Sequence, residues 1–270
     1  MLAPVTVHRL LGLVATLTAL TVGGCAAASD TGSTADSPSP VQRLHAEVVG
    51  TAPHDTAAFT QGLEVSGGEL VEGTGLVGRS YISARDLDTG VERVRVPLPD
   101  EMFGEGLTVA GDTVWQLTWQ DHVAFARDRD TLAERSRVEY EGEGWGLCAQ
   151  PDRLVMSDGS DTLTFRDPET FDPVGTVAVT LDGEPVEMLN ELECTDDGLV
   201  YANVWQTSDI VRIDPDTGAV VAVIDASGLL TAEQQRGADV LNGIAALPGT
   251  DRFLITGKLY PLVFDVRFVS

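Results

Sequence analysis

The sequence predicts an all-β chain folded as a five-bladed β-propeller, and three features that recur with a shared period of about 45 residues predict it. The first is an acidic turn, Asp-x-x-Thr, at Asp86 to Thr89, Asp128 to Thr131, Asp167 to Thr170 and Asp214 to Thr217, with threonines 42, 39 and 47 residues apart. The second leads into an apolar strand: Gln61-Gly62-Leu63, Glu105-Gly106-Leu107, Trp145-Gly146-Leu147, Asn190-Glu191-Leu192 and Asn242-Gly243-Ile244, whose apolar residues are 44, 40, 45 and 52 apart. The third is a further apolar strand start at Leu70, Val114, Leu154, Leu199 and Phe253. Three features on one period make a repeat, and a unit of this length with three or four strands is the size of a propeller blade.

Each segment follows from its composition. Arg9 precedes an apolar run from Leu10 to Val22, 13 residues without a charge. A spanning helix needs about 20, so residues 1–24 read as a secretory leader. The run ends in Val22-Gly23-Gly24-Cys25, which resembles a bacterial lipobox with Cys25 as the lipidated residue. Export to the outer face of the cell membrane as a lipoprotein is expected, with plain secretion as the alternative. Residues 25–42 are rich in Ala, Ser, Thr, Asp, Gly and Pro and read as a flexible tether. The propeller then occupies 43–270. Its first strand, near His45 to Thr51, is expected to pair with the last blade and close the ring. Within each unit, runs such as Thr113 to Trp119, Leu199 to Trp205 and Arg252 to Thr256 alternate with Gly/Asp turns. Asp at a turn start bonds to backbone two residues on. Leu229 to Val240 alone looks helical, and it accounts for the long last interval. A final Asp265 falls where the chain ends. Cys148 and Cys194 are the cysteines left in the folded part, and free, buried thiols are expected.

Charge excludes whole classes of function. With 17 Lys+Arg against 42 Asp+Glu the formal charge is −25, the wrong sign for phosphate backbones or a polybasic membrane contact. There is no Gly-x-Ser-x-Gly elbow, and His45, His54 and His122 lack metal-ligand spacing. Asp214-Pro215-Asp216 lacks the later glutamate of a calcium loop. No glycine loop opens a helix for a nucleotide.

What the repeat leaves variable is the candidate site. The residue two before each repeated apolar one is Gln61, Glu105, Trp145, Asn190 or Asn242, and first strands line a propeller channel, so these should form one ring. Packing alone would repeat one small residue. Trp119, Trp205 and Lys258 close corresponding strands and extend the ring into an aromatic-walled pocket. Lys258 is the only lysine in the chain, every other cation being Arg, which marks a position suited to a compact ammonium. Glu105, between Gly104 and Gly106, is placed where indoles would raise its proton affinity and Lys258 would oppose them. Such a carboxylate takes and returns a proton near neutrality.

The strings that carry these residues resemble the plant-type and bacterial glutaminyl-peptide cyclotransferases, or glutamine cyclotransferases. They are His54-Asp55, Ala58-Phe59-Thr60-Gln61-Gly62-Leu63, Phe103-Gly104-Glu105-Gly106-Leu107, Gln116-Leu117-Thr118-Trp119 and Gly142-Glu143-Gly144-Trp145-Gly146-Leu147. Met156-Ser157-Asp158-Gly159-Ser160, Leu189-Asn190-Glu191-Leu192-Glu193, Tyr201-Ala202-Asn203-Val204-Trp205, Leu241-Asn242-Gly243-Ile244-Ala245 and Thr256-Gly257-Lys258 follow in the family's order. Two positions depart: Tyr260 stands where the family has Trp, and Val77 where it has Tyr. The first is expected to alter the pocket rim.

The resemblance implies a five-bladed propeller and an aminoacyltransferase that cyclises N-terminal glutamine to pyroglutamate with release of ammonia. It implies Glu105, Lys258 and Asn190 as catalytic residues, and Phe59, Gln61, Phe103, Trp119, Trp145 and Trp205 as substrate contacts. No cofactor is required, although a structural ion in the channel is compatible with the chain. Partners are peptides or proteins with N-terminal Gln, with no nucleic acid, and a monomer is expected. In the expected mechanism Glu105 shuttles the proton, while Lys258, Asn190 and Gln61 supply donors for the oxyanion. The alternative is a non-catalytic propeller lipoprotein that binds peptides or proteins.

Overall fold

The computed structural model describes residues 40–270. The leader and the Cys25 lipidation site lie outside the described residues, as does all of the tether but its last three positions. Strand β1 (Gln42–Pro53) is followed by an antiparallel meander of β2 (Thr60–Ser66), β3 (Glu69–Thr74), β4 (Tyr81–Asp86) and β5 (Glu92–Pro97). A second meander contains β6 (Gly104–Ala110), β7 (Thr113–Thr118), β8 (Val123–Asp128) and β9 (Glu134–Glu139). A third contains β10 (Leu147–Ala149), β11 (Leu154–Met156), β12 (Thr162–Arg166) and β13 (Pro173–Ala178). After a small hairpin of β14 (Thr180–Leu181) and β15 (Glu184–Pro185) come β16 (Leu189–Cys194), β17 (Val200–Val204), β18 (Asp209–Asp214) and β19 (Ala219–Asp225). The chain ends in β20 (Leu241–Ala246), β21 (Arg252–Gly257) and β22 (Leu262–Val269).

The result is an all-β, propeller-like arrangement. First strands of successive meanders touch in the order β2, β6, β10, β16, β20 and back to β2. The repeated Leu63, Leu107, Leu147, Leu192 and Ile244 are at most 1% exposed, so the apolar member of each repeat packs between neighbouring sheets. The glycine before it lets them approach: a Cβ on Gly106 would fall 2.6 Å from the Trp145 carbonyl oxygen. In the fourth repeat Glu191 replaces that glycine. Its carboxylate accepts the N–H of Leu63 at 3.2 Å and of Ile244 at 2.7 Å, bridging strands across the ring. Outer strands such as β5 and β9 are mostly exposed and carry Arg and Glu, which discourages edge-to-edge pairing.

The acidic turns form as expected. Asp86 and Asp128 each accept the backbone N–H of the threonine three residues on, both at 2.8 Å. Asp265 instead lies within β22 and pairs with Arg252 at 2.6 Å. β1 pairs antiparallel with β22 over His45 to Pro53, as the N-terminal closure requires, and its start runs parallel to β19, joining the last two meanders in one ten-stranded sheet.

Two expectations are corrected. Leu229 to Val240 is a long loop whose helical content is one 3-10 turn at Gln234–Arg236. Gly228 and Gly237 bracket it, and of its apolar residues Leu230 alone is buried, too narrow an apolar stripe to hold a helix on the core. Cys148 and Cys194 are joined in a disulfide, with Cα atoms 5.4 Å apart. Their separation of 46 residues is one repeat, which places them on adjacent first strands, β10 and β16, within bonding range.

Candidate active site

The ring residues stand at one end of the first strands. Gln61, Glu105, Asn190 and Asn242 are all buried. Asn242 Nδ2 donates to the Thr60 carbonyl at 3.0 Å and to Gln61 Oε1 at 3.2 Å, and Gln61 Nε2 donates to Glu105 Oε1 at 3.1 Å. This chain fixes the Gln61 amide with an N–H directed at the carboxylate. Asn190 Oδ1 is buried with no hydrogen-bond partner, an acceptor free for a ligand.

A cavity of about 460 Å³ opens above them, lined by Phe59, Gln61, Phe103, Glu105, Trp119, Trp145, Asn190, Trp205, Gln206, Asp239, Val240 and Lys258. All nine residues anticipated for catalysis or substrate contact are therefore brought together. Trp119, Trp205 and Lys258 sit one residue beyond the ends of β7, β17 and β21, at equivalent places in three meanders. Asn242 does not line the cavity and acts on Gln61 from behind. Tyr260 does not line it either. It is 9% exposed and packs where a Cβ on Gly257 would strike its ring, so the departure from the family's Trp falls behind Lys258 and not on the rim.

Gln206, Asp239 and Val240 escaped sequence reasoning. Gln206 follows Trp205 with φ +67°. Asp239 and Val240 belong to the loop read as a helix, and that loop is bonded to Lys258: Asp239 N–H donates to the Lys258 carbonyl and Lys258 N–H to that of Val240, each at 2.9 Å. No repeat template covers this insertion. Glu143 was also missed as an individual residue, although it lies two before Trp145.

The aromatic wall is two edge-to-face runs. Phe59 meets Phe103 with centroids 6.1 Å apart, and Phe103 meets Trp119 at 5.6 Å. Across the cavity Trp145 meets Trp205 at 5.5 Å, their planes at 85°. Lys258 Nζ lies 4.9 Å from the Phe59 centroid, a cation–π contact. Burial pushes the Glu105 carboxyl well above the usual carboxylate range; Lys258 opposes this and the Glu143 charge adds to it. Burial lowers the Lys258 ammonium, against the pull of Glu105 and Asp239. The site thus holds an acid that is easily protonated and an amine that is easily deprotonated.

Behind the Lys258 turn lies a buried polar cluster. His54 Nε2 and Thr60 Oγ1 each contact Glu72 Oε1 at 2.8 Å, Arg85 reaches Glu72 Oε2 at 2.7 Å, and His54 Nδ1 meets the Tyr260 carbonyl at 2.8 Å. Among the described residues no group of three or more His, Cys, Asp or Glu is arranged to hold a metal ion.

Comparison with known proteins shows the family. The family model for glutamine cyclotransferase matches residues 16–268. A glutaminyl-peptide cyclotransferase of Arabidopsis thaliana is 38% identical over 226 residues, 82% of this chain and 70% of that protein. The crystal structure of Myxococcus xanthus glutaminyl cyclase superposes with a TM-score of 0.76 at 42% identity, covering 86% of this chain and 99% of the other. The family model spans every string that builds the cavity, and the chain belongs to the glutamine cyclotransferase family.

Proposed function

We propose that the chain converts the N-terminal glutamine of peptides to pyroglutamate with release of ammonia, and that Glu105 carries the proton. The observation that carries this reading is one buried carboxylate of raised proton affinity facing a buried ammonium within an aromatic cavity. The substrate's neutral α-amine attacks its own side-chain carboxamide carbon. A C–N bond forms, the amine proton passes to Glu105, and the tetrahedral carbon carries an oxyanion. Lys258 and an N–H of Asn190 or Gln61 stabilise that charge. Glu105 then returns its proton to the departing nitrogen, the original carboxamide C–N bond breaks, and ammonia leaves. The indoles and phenyl rings fold the side chain back on the amine and exclude water. Nucleophile and electrophile share one molecule, so positioning supplies much of the acceleration. Every proton and charge is assigned to side chains of the chain itself, so no cofactor enters the scheme.

We infer further that the meanders are five blades, from the ring of five first strands, and that one chain suffices, because all twelve lining residues come from it. Export as a lipoprotein anchored at Cys25 remains our proposal, and the Cys148–Cys194 disulfide suits an oxidising compartment.

The test is to incubate the purified protein with a Gln-initiated peptide and follow ammonia loss by mass, beside a spontaneous control. Conversion well above the control is expected. Conversion no faster than the control, from folded protein, would reduce the site to a peptide-binding pocket.

A further inference from the structure

One run comprises Phe59, Phe103 and Trp119, the other Trp145 and Trp205, and a carboxylate joins them. Glu143 Oε2 accepts the indole N–H of Trp119 at 2.7 Å and that of Trp145 at 3.0 Å, while its Oε1 accepts Gln120 Nε2 at 2.7 Å. The indoles belong to different meanders: Trp119 follows β7 and Trp145 precedes β10. Glu143 lies on the connection between β9 and β10, and its neighbour Gly144 donates its N–H to the Trp119 carbonyl at 3.2 Å. Trp119 is 37% exposed, so packing against Phe103 covers only part of its ring. The charge-assisted bond to the Glu143 carboxylate adds a second, directional restraint. Burial would raise the Glu143 carboxyl, but hydrogen bonds from Gln120, Trp145 and Trp119 outweigh it and hold the group below the usual range, so it stays ionised at neutral pH.

We propose that Glu143 is a positioning residue, a single carboxylate that clamps Trp119 and Trp145 and so sets the spacing between the two halves of the aromatic wall. The role rests on the cyclotransferase reading, because the spacing matters to a glutamine side chain that must be bent onto its own amine. Glu143 touches no reacting atom. It acts through the two indoles and through its charge, which faces Glu105 together with Lys258 and Tyr140.

Two variants of the full chain separate clamp from charge. E143A removes both, and kcat/KM for a Gln-initiated peptide is expected to fall by about 10–100-fold, the scale of a misplaced wall, mostly in kcat. E143Q keeps the size and removes the charge. The acid limb of its pH–rate profile is expected to move to lower pH, a change that a purely structural prop would not make. Indole N–H resonances give a readout independent of turnover. In both variants the Trp119 and Trp145 signals should move, while Trp115, whose Nε1 donates to the Pro168 carbonyl at 3.0 Å, serves as the fixed reference. Should E143A fail to fold, E143Q alone decides. Wild-type kcat/KM at all pH values in E143Q, or unmoved Trp119 and Trp145 resonances, would overturn the clamp. A wild type with no turnover would remove the cyclotransferase reading, and the resonances would still decide whether Glu143 holds the two indoles.

Discussion

Glu105 owes its chemistry to its neighbours. Five repeats present an equivalent position, and only this one carries an acid, with Gln61 donating to it and the Lys258 charge acting on it. Glu105→Gln preserves the shape and deletes the proposed proton carrier, so turnover should fall by about 10²–10⁴-fold with the circular dichroism spectrum unchanged. Activity within about tenfold of wild type would remove the shuttle role. The nine cavity residues anticipated from sequence were legible because each occupies a repeat-equivalent position or belongs to a string shared with the family. Gln206, Asp239 and Val240 were not. Their place depends on where a non-repeating loop lands, which no periodicity encodes. Glu143 was hidden for another reason: its partners are indole N–H groups, and a hydrogen bond between side chains leaves no trace in spacing.

At the scale of elements, the strands, the acidic turns and the closure by β1 were readable, and the disulfide between β10 and β16 was not. The disulfide follows from repeat geometry, since residues one unit apart sit on adjacent first strands. Closing a loop of 46 residues restricts the unfolded chain by about 4 kcal/mol. The double variant Cys148→Ser/Cys194→Ser should therefore melt on the order of 10 °C lower in a thermal scan. An unchanged melting temperature would show that the bond contributes nothing to β10 and β16. The junction where β1 meets β22 depends on pH. Burial would lower the His54 ring, yet its bonds to Glu72 and the Tyr260 carbonyl raise it above 6.5. The stability it contributes is complete below 6.5 and fades as pH rises through the folded value. Burial would raise Glu72, yet His54 and Arg85 hold it below 4.5, so its contribution is complete above 4.5 and fades in acid. Glu64, pushed up to about 7 mainly by burial, acts in the same direction as His54 over a lower window, complete below 4.5 and fading as pH rises toward 7; Glu105, Glu191 and Glu193, also raised by burial, add to that fall. The melting temperature should therefore fall from pH 6 to pH 8, with a shallower slope in His54→Gln. A flat profile between pH 6 and 8 would contradict this account.

The whole molecule carries a formal charge of −25, and its field reaches peptides before the pocket does. Asp239 is exposed at the cavity lining, so the local sign agrees with the global one. A cationic Gln-Arg peptide should lose kcat/KM severalfold between about 0.01 and 0.15 M salt, as the screening length shrinks from about 30 to 8 Å. A Gln-Glu peptide should stay level or gain. Identical salt responses would show that steering plays no part. Glu191 has a consequence of another kind. By accepting from Leu63 and Ile244 it laces β16 to β2 and β20, and each of those strands carries a ring residue beside the tie: Asn190, Gln61 and Asn242. A change at Glu191, which lines no part of the cavity, would therefore reach three ring positions at once.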